Sequence, residues 1–394
     1  MKKVMVALLL LSMMLNPAWA ASKKVRSIQK QAAPDKTAGK AALPEKQDPY
    51  KAFIVVEAVT GRVLEGENIH QRLPPASVAK LMLALLVVEK LEAGQIKLED
   101  RVNATADACR MGGSQVFLKQ GESFSLEEMM QALLVASAND AAYAIGDFLC
   151  GSRESVVETM NLRAKELGMA DSAFFSMHGL PPQKGQEPDL TSCQDLSVLS
   201  RMLLRHPKIL EWTSIKTIPF RQGQFIMRNH NRLLNRFTGM DGLKTGYYRE
   251  AGFCIAATAR QNALRLIVVV MGSPTARIRD RIVEEKLKKW FALYEMAEVI
   301  KKGEIVEMEI AVSGGKQKTL KGVTEQGFSY PVPREEKKML QKEIILPEKI
   351  SAGVSQGQKL GEIVIRFKNE PVGRVGVLSP IRIEKSGFFS GMFN

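Results

Sequence analysis

Residues 77–88 read Ser77-Val78-Ala79-Lys80-Leu81-Met82-Leu83-Ala84-Leu85-Leu86-Val87-Val88. The unbroken apolar run after Lys80 predicts a buried helix. On a helix, residues i and i+3 share a face, so Ser77 and Lys80 can meet at its start. Two other S-x-x-K matches, Ser27 to Lys30 and Ser313 to Lys316, lie in a polar basic stretch and a Gly-Gly turn. Nothing there would hold the two side chains together. Downstream of Ser77 stand Ser137-Ala138-Asn139 and then Lys244-Thr245-Gly246. No one of these motifs decides the reading, but their order along the chain is a known set for serine acyl-transfer chemistry.

Outward from this helix the pattern alternates between strands and helices. Ala52 to Glu57 and Arg62 to Glu65 read as a hairpin around Thr60-Gly61. Leu126 to Leu149 is helical by apolar spacing, with a break near Ser137-Ala138-Asn139. Ser152 to Leu167 and Ser192 to Arg205 are amphipathic helices with Gly168 and His206-Pro207 as stop signals. Strands return at Thr217 to Phe220, Gln224 to Met227 and Gly242 to Tyr247. Phe253 to Ala259 and Leu264 to Met271 form a hairpin, and Arg279 to Val299 reads as a closing helix. Strands at both ends with helices between them predict an α+β domain over 48–299, one antiparallel sheet flanked by helices. From residue 300 to 384, short alternating segments broken by Gly and Pro (Ile305 to Val312, Ile344 to Leu346, Glu362 to Phe367, Val372 to Leu378) predict a small all-β domain.

The chain has 394 residues, enough for two domains. Its first twenty read as a secretory signal: Lys2 and Lys3, an apolar core from Val4 to Leu15, and Ala18-Trp19-Ala20 as the cleavage site. Export to the periplasm is the expectation, with the protein peripheral at the outer face of the inner membrane. Residues 21–47 carry Lys, Ala and Pro but no aromatic residue before Tyr50, and are expected to be a disordered basic spacer. The net charge of +14 suits work beside anionic lipid or wall polymer, while export argues against nucleic acid. Residues 385–394 form a short apolar tail with Phe388, Phe389, Met392 and Phe393 beside Lys385. It either makes a weak contact with an anionic membrane surface or folds back onto the β domain. The cysteines Cys109, Cys150, Cys193 and Cys254 have wide, irregular spacings and read as buried free thiols. The four histidines are scattered, so neither a metal site nor a cofactor is expected.

A serine hydroxyl is a weak nucleophile and needs a group to take its proton. No histidine stands near the three motifs, and Lys80 is the base that the helix spacing offers. A free lysine has a pKa of about 10.4, so a neutral amine at pH 7 needs a depression of roughly three units. Burial against the apolar helix and a second cation, Lys244, both push that way. Ser137 can relay a proton to a leaving amine, and Asn139 can hold a substrate backbone. Lys244-Thr245-Gly246 on a strand edge can pair with an extended peptide. Thr245 can bond a terminal carboxylate, Gly246 allows close approach, and the backbone N–H groups of Ser77 and Tyr247 can form an oxyanion hole.

These motifs come with further matching stretches. They are Gly112-Gly113-Ser114-Gln115 with Phe117-Leu118-Lys119, Asn139-Asp140-Ala141, Glu166-Leu167-Gly168-Met169, His178-Gly179-Leu180, Asn231-Arg232-Leu233-Leu234, Asp241-Gly242-Leu243-Lys244-Thr245-Gly246 and Ala251-Gly252. Over about residues 48–384 the chain resembles the low-molecular-mass penicillin-binding proteins, serine-type D-alanyl-D-alanine carboxypeptidases with an appended β domain. The resemblance implies a β-lactamase/transpeptidase-like fold and trimming of peptidoglycan stem peptides through an acyl-enzyme that β-lactams also form. It implies Ser77 as nucleophile, Lys80 as base, Ser137 and Asn139 as the second motif, and Lys244 as the cation on the carboxylate side. It also implies a carboxylate-binding arginine near the closing helix, taken as Arg277 with Arg279 as the alternative. Ala138 stands where glycine is usual, and the tail is shorter than the family's amphipathic helix. A β-lactamase or D,D-endopeptidase of the same fold is the nearest alternative, and a non-catalytic wall-binding protein a remote one. Glu187-Pro188-Asp189-Leu190-Thr191 only partly matches the deacylation motif of the β-lactamases and reads as a loop leading to a helix cap.

Overall fold

The structure is a computed structural model that describes residues 49–386. The expected signal, the spacer and nearly all of the apolar tail lie outside the described residues.

The strand Ala52–Glu57 is buried along its whole length. Its side chains alternate: Ala52, Ile54 and Val56 enter one apolar core, Phe53 and Val55 another. Leu264–Ser273 divides in the same way, with Ile267, Val269 and Met271 on one side and Leu266, Val268 and Val270 on the other. A strand sends successive side chains to opposite faces, so both faces of this sheet are covered. The sheet has five antiparallel strands in the order Val63–Glu67, Ala52–Glu57, Leu264–Ser273, Gly252–Gln261, Met240–Tyr248. Met240–Tyr248, which carries Lys244-Thr245-Gly246, is therefore an edge strand.

One face is covered by helices that include Lys80–Glu92, Leu126–Leu134, Asn139–Cys150, Arg153–Glu166 and Cys193–Leu203. Lys80–Glu92 is buried from Lys80 through Val88 with no exposed stripe, as expected of a helix at the centre of a core. The break between Leu126–Leu134 and Asn139–Cys150 falls at the second motif, where Ser137 holds a positive φ of 59°. Ser125 and Glu128 close a capping box at the start of the first of these helices, and Ser152 and Ser192 cap two others.

The opposite face is covered by Ala276–Leu293. This corrects the expected Arg279-to-Val299 helix at both ends. Thr275 is the N-cap, its Oγ1 accepting from the Ile278 N–H at 3.1 Å. The helix stops at Leu293, where Tyr294–Ile300 begins as a strand paired with Phe328–Pro333. Beyond it a six-stranded sheet runs Leu340–Ile345, Lys359–Phe367, Glu370–Leu378, Thr319–Thr324, Ile305–Ser313, Lys349–Ser351. The fold is α+β, a helix-flanked antiparallel sheet followed by an all-β domain. The apolar clusters of the β domain are small compared with those of the first domain. All four cysteines are free: Cys193 and Cys254 are buried, Cys109 and Cys150 partly so.

Candidate active site

Ser77 sits in a single 3-10 turn, Ala76–Ala79, just before the helix that starts at Lys80. In a 3-10 turn, side chains at i and i+3 eclipse, which brings Ser77 and Lys80 closer than an α-helical start would. The turn is entered through Ala76 at a φ of 49°, a conformation costly for a residue with a Cβ. Two backbone segments brace it. A Cβ on Gly246 would lie 2.5 Å from the Pro75 carbonyl oxygen and 2.9 Å from the Ser77 nitrogen. A Cβ on Gly179 would lie 2.1 Å from the Ala76 carbonyl oxygen. Glycine at 246 therefore lets the edge strand lie directly on the serine's own backbone.

The Lys80 ammonium nitrogen is fully buried and has three oxygen partners. They are Ser77 Oγ at 2.8 Å, Asn139 Oδ1 at 2.6 Å and the His178 carbonyl at 2.7 Å. Burial holds its pKa well below the usual lysine value, and the Lys244 charge pushes the same way against smaller pulls from Asp189 and Asp140. Asn139 is fixed in turn: its Nδ2 donates to the Gly112 carbonyl at 2.6 Å, and its backbone N–H donates to the Ser114 carbonyl at 2.7 Å. Asp140 takes the backbone N–H of Leu118 at 3.0 Å. These bonds give a physical role to the Gly112-Gly113-Ser114-Gln115 stretch, which is tied to the second motif.

Lys244 Nζ is buried and donates to Ser137 Oγ and to the Thr245 carbonyl, each at 2.8 Å. Burial, with help from the Arg279 charge, brings its pKa down to about 7. Lys244 thus binds the second-motif serine, and it does not line the open cavity. The cavity has a volume of about 830 Å³ and is lined by Ser77, Ser137, Thr245, Gly246, Tyr247 and Arg279 among others. Tyr247 is exposed and stacks on Phe253 with ring centres 4.0 Å apart.

Two sequence expectations move. Arg277 is exposed and stands outside the cavity, while Arg279 is 4 % exposed and lines it. Asp280 pins the Arg279 guanidinium through Nε at 2.9 Å and Nη2 at 2.6 Å. The helix period explains the two-residue shift. Arg279 shares a face with Ile282, Val283 and Leu287, all buried, and Arg277 does not. Of the two arginines the sequence offered, Arg279 is the one at the cavity, which Arg228 and Arg232 also line, and the buried Lys244 is not part of its lining.

Three contributors were not legible as site residues. The His178 carbonyl bonds Lys80, as above. The His178 ring is half-buried, and its pKa is lowered to about 3, first by loss of hydration and then by the Lys80 charge. His230 lines the cavity, with its pKa lowered to about 4 by partial loss of hydration and by the charges of Lys244, Lys80 and Arg279. Asp189 is buried and accepts from the Phe175 and Ser176 N–H groups and from Ser176 Oγ at 2.6–2.8 Å. Serine in His178-Gly179-Leu180's neighbourhood gave no sign of that last cluster, because its partners are thirteen and more residues apart.

A family model described as D-alanyl-D-alanine carboxypeptidase matches residues 40–275, and one described as penicillin-binding protein 5, C-terminal domain, matches 294–385. D-alanyl-D-alanine carboxypeptidase DacF of Bacillus subtilis is 35 % identical over 344 residues, covering 86 % of this chain and 87 % of the relative. DacC of Escherichia coli is 31 % identical, covering 87 % and 86 %. Among solved structures, penicillin-binding protein 6B of Escherichia coli superposes with a TM-score of 0.66 at 27 % identity, covering 84 % of this chain and 95 % of that one. Penicillin-binding protein D2 of Listeria monocytogenes, solved in its ampicillin-bound form, gives 0.56 at 31 % identity over 61 % of this chain and 96 % of that one. With both stretches matched in order and the fold shared along the chain, this protein belongs to the serine-type D-alanyl-D-alanine carboxypeptidase family of penicillin-binding proteins.

Proposed function

We infer that the protein removes the terminal D-alanine from peptidoglycan stem peptides through an acyl-enzyme on Ser77, and that β-lactams acylate the same residue. The observation that carries the reading is the Lys80 nitrogen, buried and 2.8 Å from Ser77 Oγ. A neutral amine has two N–H donors and one lone pair. Asn139 Oδ1 and the His178 carbonyl accept the two N–H groups, which leaves the lone pair for the Ser77 hydroxyl proton. Burial and the Lys244 charge, which lower the Lys80 pKa, favour that neutral form.

The peptide lies along the edge strand at Thr245–Tyr247, and its terminal carboxylate meets Thr245 and Arg279. Ser77 Oγ attacks the carbonyl of the penultimate D-alanine as its proton passes to Lys80. The oxyanion is held by the backbone N–H groups of Ser77 and Tyr247, which the contact at Gly246 keeps side by side. Ser137 gives its hydroxyl proton to the nitrogen of the departing D-alanine and takes one from the Lys244 ammonium bonded to it, while the proton from Ser77 stays on Lys80 until the acyl group leaves. Water then releases the acyl group. Asn139 acts on the base by positioning Lys80, more than on substrate.

The β-lactam part of the reading is supported by a relative at 31 % identity solved with ampicillin and again with cefotaxime. We place the protein in the periplasm on the reading of residues 1–20 as a signal. Among the described residues no helix is long and apolar enough to cross a membrane.

The β-lactamase alternative requires a carboxylate aimed at the acyl group. Glu187 is exposed and does not line the cavity, and Asp189 is consumed by its loop. Glu187→Gln should therefore leave breakdown of the penicilloyl-enzyme unchanged, as followed by recovery of activity after a penicillin pulse. A marked slowing would favour the β-lactamase reading. The carboxypeptidase reading itself is tested by incubating the chain with a stem pentapeptide ending in D-alanyl-D-alanine and measuring free D-alanine. One D-alanine released per peptide, none with Ser77→Ala, is the expected result. Cleavage at a cross-link with no release from the pentapeptide would favour the endopeptidase alternative.

A further inference from the structure

A second cavity of about 770 Å³ lies on the same domain and shares no residue with the first. Its lining includes four arginines, Arg201, Arg205, Arg260 and Arg265. It sits at the far end of the sheet from Lys244-Thr245-Gly246. On the strand Gly252–Gln261, Cys254 pairs with Gly246 and Arg260 pairs with Arg265. Those six residues of strand span about 20 Å.

The four guanidiniums are not equally engaged. Arg265 forms a two-pronged pair with Asp241 at 2.8 and 2.7 Å. Arg201 donates through Nε and Nη2 to the Ala58 and Val59 carbonyls, both at 3.0 Å, and so braces the hairpin turn. The side chains of Arg205 and Arg260 are exposed and have no hydrogen bond or ion pair among the described residues. The acidic residue of the lining, Glu166, is already held by Arg163 at 2.8 Å. Like charges gathered around one concavity repel one another unless an anion joins them. A guanidinium presents a planar fork that matches a phosphoryl group with two parallel hydrogen bonds. The volume lies within the range of about 300–1,000 Å³ found for small-molecule sites, more than a lone phosphate fills.

We propose that this arginine-lined cavity binds a phosphoryl group carried on a larger molecule, with Arg205 and Arg260 as its two ligating cations and Arg201 holding the hairpin turn that forms part of the wall. The bound group is either the headgroup of an anionic phospholipid or a soluble phosphate ester. The site does not depend on the acyl-transfer reading, because neither arginine touches the Ser77 cavity.

The test uses the full chain and two probes at low ionic strength. Inorganic pyrophosphate is titrated calorimetrically, and vesicles of phosphatidylglycerol are compared with phosphatidylcholine by co-sedimentation. Saturable binding of at least one probe is expected, weakened about 10-fold or more in Arg205→Glu/Arg260→Glu, since a hydrogen bond to a charged group contributes about 1.5–3 kcal/mol. Release of D-alanine should be unchanged in that variant, which also reports that it folds. Loss of vesicle binding in the variant would assign the lipid source, and loss of pyrophosphate binding alone the soluble one. If the charge reversals unfold the chain, Arg205→Gln/Arg260→Gln is read by the same criteria. Binding of neither probe, or binding that the substitutions leave intact, would overturn the proposal.

Discussion

Replacing Lys80 with alanine should lower the rate of acylation by penicillin and by a D-alanyl-D-alanine peptide by roughly 10²- to 10⁴-fold, the usual cost of losing a positioned general base. Among the described residues no other side chain is bonded to Ser77 Oγ. The His178 ring is engaged in its own loop, with Nδ1 accepting from the Leu180 N–H at 3.1 Å. Lys244 is occupied by Ser137 and the Thr245 carbonyl. The substitution also leaves Asn139 Oδ1 and the His178 carbonyl without their donor, so a stability loss of about 1–3 kcal/mol is expected. The domain should survive it, because the surrounding core is large. Stopped-flow acylation at pH 7 and a thermal melt separate the two effects. Near-normal acylation in a folded Lys80→Ala protein would show that another group is the base.

The second large effect is expected at Arg279, and it has two parts. Loss of the guanidinium should lower kcat/KM by roughly 10- to 150-fold for a peptide with a free terminal carboxylate, from about 1.5–3 kcal/mol for a charged hydrogen bond. An amidated peptide should lose little. Arg279→Gln alone would strand Asp280 in a buried site, at a cost of about 3–5 kcal/mol. The double variant Arg279→Gln/Asp280→Asn avoids this. The other part concerns pH. Lys244 is held at about 7 by burial and by the Arg279 charge. Lys244 keeps its proton below that value and loses it above, so an alkaline limb of kcat/KM should reflect its deprotonation. Removing the Arg279 charge removes one of the two depressing causes and should move that limb to higher pH. Equal losses with free and amidated peptides, or a limb that stays in place, would contradict the assignment.

How much of this was readable from the residues alone depends on the range over which each signal acts. Ser77 with Lys80, the break at Ser137, and the strand carrying Lys244 were legible because each rests on spacing within one element. The antiparallel sheet followed, since alternating apolar strands stood at both ends of a helical region. The closing helix starts earlier than expected because Thr275, directly after Pro274, caps it. With the start at Ala276, the buried face through Ile282, Val283 and Leu287 would have pointed to Arg279 over Arg277. The end at Leu293 was hidden because Tyr294–Ile300 pairs with a strand some thirty residues downstream. Contacts that cross elements had no local signature at all. Asn139 on Lys80, the His178 carbonyl on Lys80, and Gly246 against the Ser77 backbone appear only once the chain is folded. For the same reason Lys244 was expected to face the substrate carboxylate, whereas the fold turns it toward Ser137.

Ser77 is the proposed nucleophile, and the most direct measurement is the site of the covalent adduct. The protein is incubated with penicillin, quenched in acid, digested and sequenced by mass spectrometry. A penicilloyl group on Ser77 at one per chain, absent in Ser77→Ala and greatly slowed in Lys80→Ala, is the predicted result. A label on Ser137, Ser313 or another residue, or a folded protein that takes up no label, would contradict it.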